Sequence, residues 1–282
     1  MRFQYLGTAA AEGWPAVFCR CAVCEEARAL GGRHIRTRSQ AIVNGDLLLD
    51  LPADTYMHML HNGLDLSKVQ HLFSTHCHSD HFYPQELQIR GGIYSHSMAS
   101  PHLSVYCSAD VKEYFDTAVP RIESSCADLL HWHILKPYSA VQAGPYTVTP
   151  LPANHMRQLP GAQPYIYQIE DGRHSLLYCH DSGHFREDLW DYLATVKLPF
   201  SMISFDCTNG NRAGGPGDGH MGLEDVRIHR DRLKDMGLCG PDTVCVLNHF
   251  SHNGVSSIYH DFCDIAEPMG FLVSYDGMVL EL

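Results

Sequence analysis

The sequence predicts an α/β fold. Short apolar runs typical of buried strands alternate with segments whose apolar residues recur at helical spacing. Several of these apolar runs end directly on a His or an Asp, which places polar side chains where a strand leaves a sheet. No Ser-rich or Pro-rich linker and no short repeat divides the 282 residues. We therefore predict a single domain over residues 1–282.

The elements follow from the hydrophobic pattern. Apolar runs predict strands over residues 2–6, 40–43, 47–50, 69–74, 146–151, 165–169, 176–179, 200–206 and 244–247. Helical spacing is present over residues 111–118, 185–196 and 223–236. The stretch 209–222 is rich in glycine, which disfavours both regular structures and predicts a mobile loop. That loop is either a surface linker or a segment that brings His220 to a functional site.

Composition argues against several classes of partner. The formal net charge is −12, whereas nucleic acids and membrane surfaces are bound by basic patches. The 20 histidines stand out, because imidazole is the commonest transition-metal ligand and the usual acid or base near neutral pH. There are 11 cysteines, and the first residues lack the apolar core of a signal peptide, so we expect a reducing, cytoplasmic location. No run approaches the roughly 18 apolar residues of a membrane span.

Residues 76–81, with the sequence HCHSDH, predict a two-metal centre. They follow an apolar strand and bring His76, His78, Asp80 and His81 to its end. Side chains alternate along extended backbone, so the first two histidines point the same way and can share one metal. If the chain turns into a helix near Pro84, Asp80 and His81 face a second ion. So many ligands at one strand end argue against a chance cluster on a solvated loop.

A second cluster, Cys19, Cys21 and Cys24, forms a Cys-rich loop at 19–24. Three thiolates in six residues have the spacing at which a tight loop wraps one Zn²⁺. A fourth ligand must come from elsewhere in the chain. The alternative is that these are reactive or merely buried cysteines, since free Cys is commonly buried.

The HxHxDH pattern of residues 76–81 resembles the signature of the metallo-β-lactamase superfamily. The resemblance implies an αββα sandwich, and it makes Asp50 similar to the early Asp that braces the ligand loop in that family. It also implies three ligands for one metal, three for a second, and one bridging carboxylate: His76, His78 and His155; Asp80, His81 and His249; and Asp181. His180, beside Asp181, is the main competitor for the bridging position.

The N-terminal segment narrows the resemblance. Residues 6–15 and the Cys cluster are similar to the PhnP-type cyclic-phosphate phosphodiesterases and to the pyrroloquinoline-quinone biosynthesis protein B group. Relatives with this cluster take the fourth zinc ligand from an HxxH strand end, which implies His252, three residues after His249. Such a fully ligated zinc is structural. The quinone-pathway group typically lacks a complete two-metal set, whereas every ligand position is filled here, so we favour a phosphodiesterase.

The expected reaction is hydrolysis of a small phosphodiester, with a cyclic ribose phosphate as the leading substrate. A hydroxide bridging two divalent metals, Zn or Mn with Fe as an alternative, would attack phosphorus in line with the leaving oxygen. Asp80 would also orient the attacking water. Residues 219–222 resemble the histidine motif of the tRNA 3′-processing and PhnP-like branches, which makes His220 the general acid and Asp206 its partner.

Two features depart from the family pattern. Bulky residues at 82–87 replace a small Gly-rich turn and predict a differently shaped pocket, and the role of segment 86–146 stays open. The alternative functions are another hydrolase of the superfamily, acting on a thioester, a lactone or an RNA 3′ end, or a non-hydrolytic accessory protein like the quinone-pathway group. The net negative charge argues against an RNA substrate. The oligomeric state also stays open, and a homodimer is one alternative.

Overall fold

The computed structural model describes residues 1–156, 159–215, 217–253 and 258–282. The strands are β1 Arg2–Gly7, β2 Gln40–Val43, β3 Leu47–Leu49, β4 His71–Phe73, β5 Leu103–Cys107, β6 Leu130–Ile134, β7 Val141–Ala143, β8 Tyr146–Pro152, β9 Tyr165–Glu170, β10 Ser175–Cys179, β11 Met202–Asp206, β12 Val244–Asn248, β13 Leu272–Val273 and β14 Val279–Glu281. The α-helices are α1 Ala22–Leu30, α2 Thr55–Asn62, α3 Ala109–Ala118, α4 Ser124–Ala127, α5 Glu187–Leu193, α6 Leu223–Asp235 and α7 Tyr259–Ala266. Within these ranges no helix is both long enough and apolar enough to cross a membrane.

The strands of the described ranges form two seven-stranded mixed sheets. The first has the order β14-β1-β2-β3-β4-β5-β6 and the second the order β13-β12-β11-β10-β9-β8-β7. Parallel pairing runs from β3 to β6 in the first sheet and from β10 to β13 in the second. The remaining neighbours in both sheets are antiparallel.

Three apolar clusters define the layers. The inner cluster fills the space between the sheets, where Phe3 and Leu49 of the first sheet meet Val148 and Tyr167 of the second. A second cluster covers the outer face of the first sheet and includes α3, and a third covers the outer face of the second sheet and includes α5, α6 and α7. Helices therefore flank two facing sheets. The predicted αββα sandwich is confirmed.

The segment after residue 81 differs from the expectation of a helix that begins near Pro84. It forms a 3-10 helix, Pro84–Ile89, rather than an α-helix. Phe82 is fully buried in the apolar layer outside the first sheet. Segment 86–146 supplies β5, β6 and α3, and therefore completes one edge of the first sheet and part of the layer outside it.

The strand ends decide where functional side chains meet. Residues 76–81 follow β4, Asp50 follows β3, Asp181 follows β10, Asp206 ends β11 and His249 follows β12. The carboxyl ends of parallel strands share one edge of a sheet, so the polar residues that follow them collect there. The backbone N–H of Tyr165 donates to the carbonyl of Thr75 at 2.9 Å, which joins the two sheets at that edge.

Candidate metal centre

One group of donors consists of His76, His78, His155 and Asp181. His76 Nε2 lies 3.0 Å from His78 Nδ1 and 3.2 Å from Asp181 Oδ2. His155 Nε2 lies 3.3 Å from His78 Nδ1 and 3.7 Å from Asp181 Oδ2. A tetrahedral zinc with bonds of about 2.0–2.1 Å holds its ligand atoms about 3.4 Å apart. The four donors therefore have the spacing of a metal's coordination shell.

A second group consists of Asp80, His81, Asp181 and His249. His81 Nε2 lies 2.9 Å from Asp181 Oδ2, 3.1 Å from His249 Nε2 and 3.3 Å from Asp80 Oδ2. The same oxygen of Asp181 thus faces both donor groups. A carboxylate placed in this way can bridge two cations.

The other ring nitrogens are held by neighbours, which fixes the direction of each imidazole. The carboxylate of Asp50 accepts from His81 Nδ1 at 2.7 Å and from the backbone N–H of Thr75 at 2.7 Å. The Thr75 hydroxyl lies 3.0 Å from His76 Nδ1, and His155 Nδ1 donates to the carbonyl of Gly219 at 3.3 Å. Such partners leave the opposite nitrogen of each ring free to face the centre.

The electrostatics of the centre favour a cation. Burial lowers the pKa of His76 to about 3, so its imidazole is neutral and keeps a free lone pair. Burial disfavours a charged carboxylate, but the surrounding histidines hold the pKa of Asp181 well below its usual range. Although burial also opposes a charged His81, the carboxylates of Asp50, Asp181 and Asp80 raise its pKa well above the ordinary value. Positive charge is therefore stabilised between these side chains.

One buried atom lacks a partner that a metal would supply. Asp181 Oδ1 makes no hydrogen bond within the described residues, although ring nitrogens of His249 and His220 lie 3.2 and 3.3 Å away. Buried carboxylate oxygens in proteins are normally satisfied by hydrogen bonds or by a metal. The donor set fits a divalent metal pair at Oδ2, while Oδ1 faces His249 and His220, which with Asp206 form a further possible donor group.

His220 lies beside the centre and is paired with Asp206. Its Nδ1 lies 3.1 Å from Asp206 Oδ2, whose other oxygen accepts the backbone N–H of Met221 at 3.1 Å. Burial opposes a charged His220, but the nearby Asp206 carboxylate outweighs it and raises the pKa to about 9. Nδ1 faces the Asp206 carboxylate, which leaves Nε2 on the other side of the ring. Loop 209–222 does bring His220 to the site, as one of the two sequence interpretations proposed.

The N-terminal cysteines also come together with a histidine. The Sγ atoms of Cys19, Cys21 and Cys24 and a ring nitrogen of His252 all lie within 4.8 Å of one another. His252 Nδ1 is 3.4 Å from the Cys21 thiol and 3.8 Å from the Cys19 thiol. The backbone N–H of Cys24 and the His252 side chain lower the pKa of Cys21 to about 6, which favours the thiolate that zinc binds. Three thiolates and one imidazole form a closed, structural type of zinc site.

The family follows from comparison with known proteins. Residues 48–234, more than half of the chain, match the model of the beta-lactamase superfamily domain. This chain belongs to the metallo-β-lactamase superfamily. Zn²⁺-bound PqqB from Methylobacterium extorquens superposes with a TM-score of 0.75 at 20% identity, covering 100% of both chains. No curated protein sequence matches the chain.

Two further metallo-β-lactamase folds are similar. A diphosphatase from the PhnP family has a TM-score of 0.75 at 19% identity, with 100% of this chain and 97% of the other covered. The short form of human tRNase Z has a TM-score of 0.64 at 14% identity, with 100% and 99% covered. At these identities the likeness shows the fold, which is one that binds divalent metals.

Three other histidines of the segment around β10 stay outside the two donor groups. His180 points to serine hydroxyls, with Nε2 2.7 Å from Ser204 Oγ and Nδ1 3.2 Å from Ser39 Oγ. His174 pairs with Asp171 at 3.2 Å, and His184 belongs to neither group. His180 therefore does not take the bridging position, which Asp181 can occupy.

Sequence reasoning missed two hydroxyls that support the centre. Thr75 lies between Asp50 and the rings of His76 and His81, and Thr208 Oγ1 lies 2.8 Å from His249 Nδ1. Both residues follow predicted strands, but a Thr at a strand end is common. Nothing in the sequence alone distinguishes these two.

Proposed function

We propose that this chain is a metal-dependent phosphodiesterase that uses two divalent cations, Zn or Mn, with Fe as the alternative. The single observation that carries the proposal is the pair of four-donor groups sharing Asp181. His76, His78 and His155 would hold one cation, and Asp80, His81 and His249 the other. When bound, such a pair ionises a water molecule to give a nucleophile and neutralises charge on a phosphoryl group.

The protein's own residues complete the reaction. Asp80 has a carboxylate among the second donor group, where it also orients the attacking water. His220 donates its Nε2 proton to the leaving oxygen, because its Nδ1 is occupied by Asp206. Asp206 keeps that imidazole in the tautomer and charge state of a general acid.

A phosphodiester fits these features better than a thioester. An alkoxide leaving group needs a proton, and the His220–Asp206 pair is placed to supply one, whereas a thiolate leaves without protonation. Two proteins of similar fold, a diphosphatase and a tRNase, also support a phosphoryl substrate. The net charge of −12 favours a small phosphodiester over a nucleic-acid chain. A complete zinc cluster at Cys19, Cys21, Cys24 and His252 would serve as a structural site.

The test is a substrate comparison with metal-free and reloaded protein. Protein stripped by a chelator and reloaded with Zn²⁺ or Mn²⁺ is assayed with bis(p-nitrophenyl) phosphate, p-nitrophenyl acetate and an acyl thioester. We expect hydrolysis of the diester only after reloading, and its loss in Asp181→Asn. The matched control is Asp188→Asn, which removes an exposed carboxylate paired with Arg186 and should keep full activity.

Two outcomes would contradict the proposal in different ways. A preference for the ester or the thioester would assign the chain to another hydrolase class of the superfamily. Full metal loading with no turnover of any of the three substrates would instead favour a non-hydrolytic accessory protein.

A further inference from the structure

The glycine-rich loop that carries His220 is fastened on both sides of that residue to one carboxylate. Asp225 Oδ2 accepts the backbone N–H of Gly214 at 2.5 Å and that of Gly222 at 2.9 Å. Asp225 is the third residue of α6 and is only 4% exposed. Backbone N–H groups on both sides of His220 therefore donate to the same oxygen atom, Asp225 Oδ2.

The other oxygen of the Asp225 carboxylate contacts a segment that carries a metal donor. Asp225 Oδ1 lies 3.2 Å from His184 Nε2, and His184 is three residues after Asp181. The carbonyl of His184 accepts the side-chain amide of Asn154 at 2.8 Å, and Asn154 directly precedes His155. A chain of contacts thus joins the loop to two of the segments that present metal donors.

The backbone of the loop also lies close to these segments. A Cβ atom on Gly183 would come within 2.0 Å of the carbonyl oxygen of Asp218, and one on Gly219 within 2.8 Å of His155 Nδ1. Such distances require glycine at both positions. The base of the loop is also held by backbone bonds from Asn209 N–H to the Met221 carbonyl at 3.0 Å and from Leu223 N–H to the Gly210 carbonyl at 2.8 Å, and Met221 is fully buried. The Asp225 bonds add to these an anchor between Gly214 and the start of α6.

We infer that Asp225 and His184 form a latch that positions His220 over the metal centre. The inference rests on the proposed role of His220 as general acid. A carboxylate that accepts two backbone N–H groups and an imidazole makes stronger hydrogen bonds than a neutral side chain in its place. Without the latch, Gly214 and Gly222 lose their shared acceptor, and the His220 imidazole loses part of its alignment with Asp206 and the leaving oxygen. Asp225 is a positioning residue and not a catalytic one.

Loss of the latch should change the rates for two substrates unequally, which a general loss of stability would not do. Diphenyl phosphate expels a basic phenolate that benefits from protonation, whereas bis(p-nitrophenyl) phosphate expels a p-nitrophenolate that departs without a proton. A misplaced acid therefore slows the first substrate much more than the second. A damaged metal centre or a partly unfolded protein slows both equally.

The experiment measures kcat and KM of the metal-loaded full chain with both diesters. We expect Asp225→Ala to lower kcat for diphenyl phosphate by about 10–100-fold, with unchanged metal content and KM, and to change bis(p-nitrophenyl) phosphate turnover by less than about threefold. His184→Gln alters the same contact at a partly exposed residue. It should show the same split, a larger loss of rate with diphenyl phosphate than with bis(p-nitrophenyl) phosphate, to a smaller degree. The matched control is Glu224→Gln, which removes the neighbouring exposed carboxylate on α6 and should behave as wild type.

His220→Ala separates failure of the inference from failure of the proposed function. If His220→Ala slows both diesters equally, His220 is not the general acid and the proposed mechanism is wrong. If His220→Ala shows the split and neither Asp225→Ala nor His184→Gln does, the latch is wrong while the mechanism stands. Should Asp225→Ala fail to fold, His184→Gln decides between these results.

Discussion

Three side chains of the metal centre depend on an unusual backbone conformation. Asp50, Asp181 and His249 adopt positive φ angles of 66°, 49° and 65°. The left-handed region is unfavourable for residues other than glycine, by an amount on the order of 1 kcal/mol each, and persists where surrounding contacts impose it. Each of the three lies just past a strand end, where this turn directs a polar side chain toward its neighbours instead of along the strand. The local strain is thus part of how the donors converge.

Asp50 is expected to tune metal affinity without being a donor itself. Asp50→Asn removes the charge that holds His81 Nδ1 and weakens the bond to the Thr75 backbone. Loss of such a supporting carboxylate weakens metal binding by about 10–100-fold. Competition with a chelator of known affinity measures the change. Asp65→Asn, at an exposed carboxylate that pairs with Lys68 and belongs to no donor group, should bind metal as wild type does; an equal effect in both variants would refute the role of Asp50.

His220→Ala is expected to lower turnover of diphenyl phosphate by about 10²–10⁴-fold, the usual contribution of a general acid. The metal content should not change, because His220 belongs neither to the donor group of His76, His78 and His155 nor to that of Asp80, His81 and His249. Steady-state kinetics with elemental analysis of the same sample checks both statements. A drop in metal content would instead make His220 a ligand, since its ring nitrogen also lies within reach of Asp181, Asp206 and His249.

At the scale of elements, the apolar runs predicted most of the buried strands but missed β5, a buried strand inside the first sheet whose run is interrupted by Ser104, and several strands at the edges. β2 matches its predicted bounds, and β8 to β12 match within about two residues, because these strands are buried along most of their length. β6 was missed because it lies at a sheet edge, where His131, His133 and Ile134 are exposed and the run is not apolar. β13 and β14 have only two and three residues, too few for a pattern to form.

The Cys-rich loop was predicted, but the helix that follows it was not. Cys24 lies inside α1, whose stripe of small residues is buried only at Cys24 and Ala27. Two buried positions in nine residues give a weak helical period, so the sequence shows the zinc ligands more clearly than the element that carries one of them.

Cys21→Ser is expected to remove the zinc of this loop and to leave the two-metal centre loaded. The loop then loses its tie to His252, and a destabilisation of about 2 kcal/mol would lower the melting temperature by roughly 4–8 °C. Elemental analysis and thermal unfolding measure the two effects. The control is Cys77→Ser, because Cys77 lies between His76 and His78 but belongs to neither donor group. Loss of zinc from both variants, or from neither, would contradict the assignment.

At the scale of the whole molecule, two facing sheets bring together residues that are far apart in sequence. The order of His155, Asp181 and His249 after the 76–81 motif was enough to predict their convergence, because the resemblance supplied the fold. The supporting hydroxyls of Thr75 and Thr208 and the contact between Asp225 and His184 were not predictable. They depend on how loops pack across the sheet edge, which no local pattern encodes.

The most direct test is anomalous diffraction from crystals grown with excess zinc. The expected result is a pair of neighbouring peaks, one among His76, His78 and His155 and the other among Asp80, His81 and His249, with Asp181 between them. A single separate peak should lie among the three cysteines and His252. Crystals in which the histidine centre shows no pair of peaks, with His155 and His249 directed elsewhere, would contradict the two-metal centre on which the proposed hydrolysis depends.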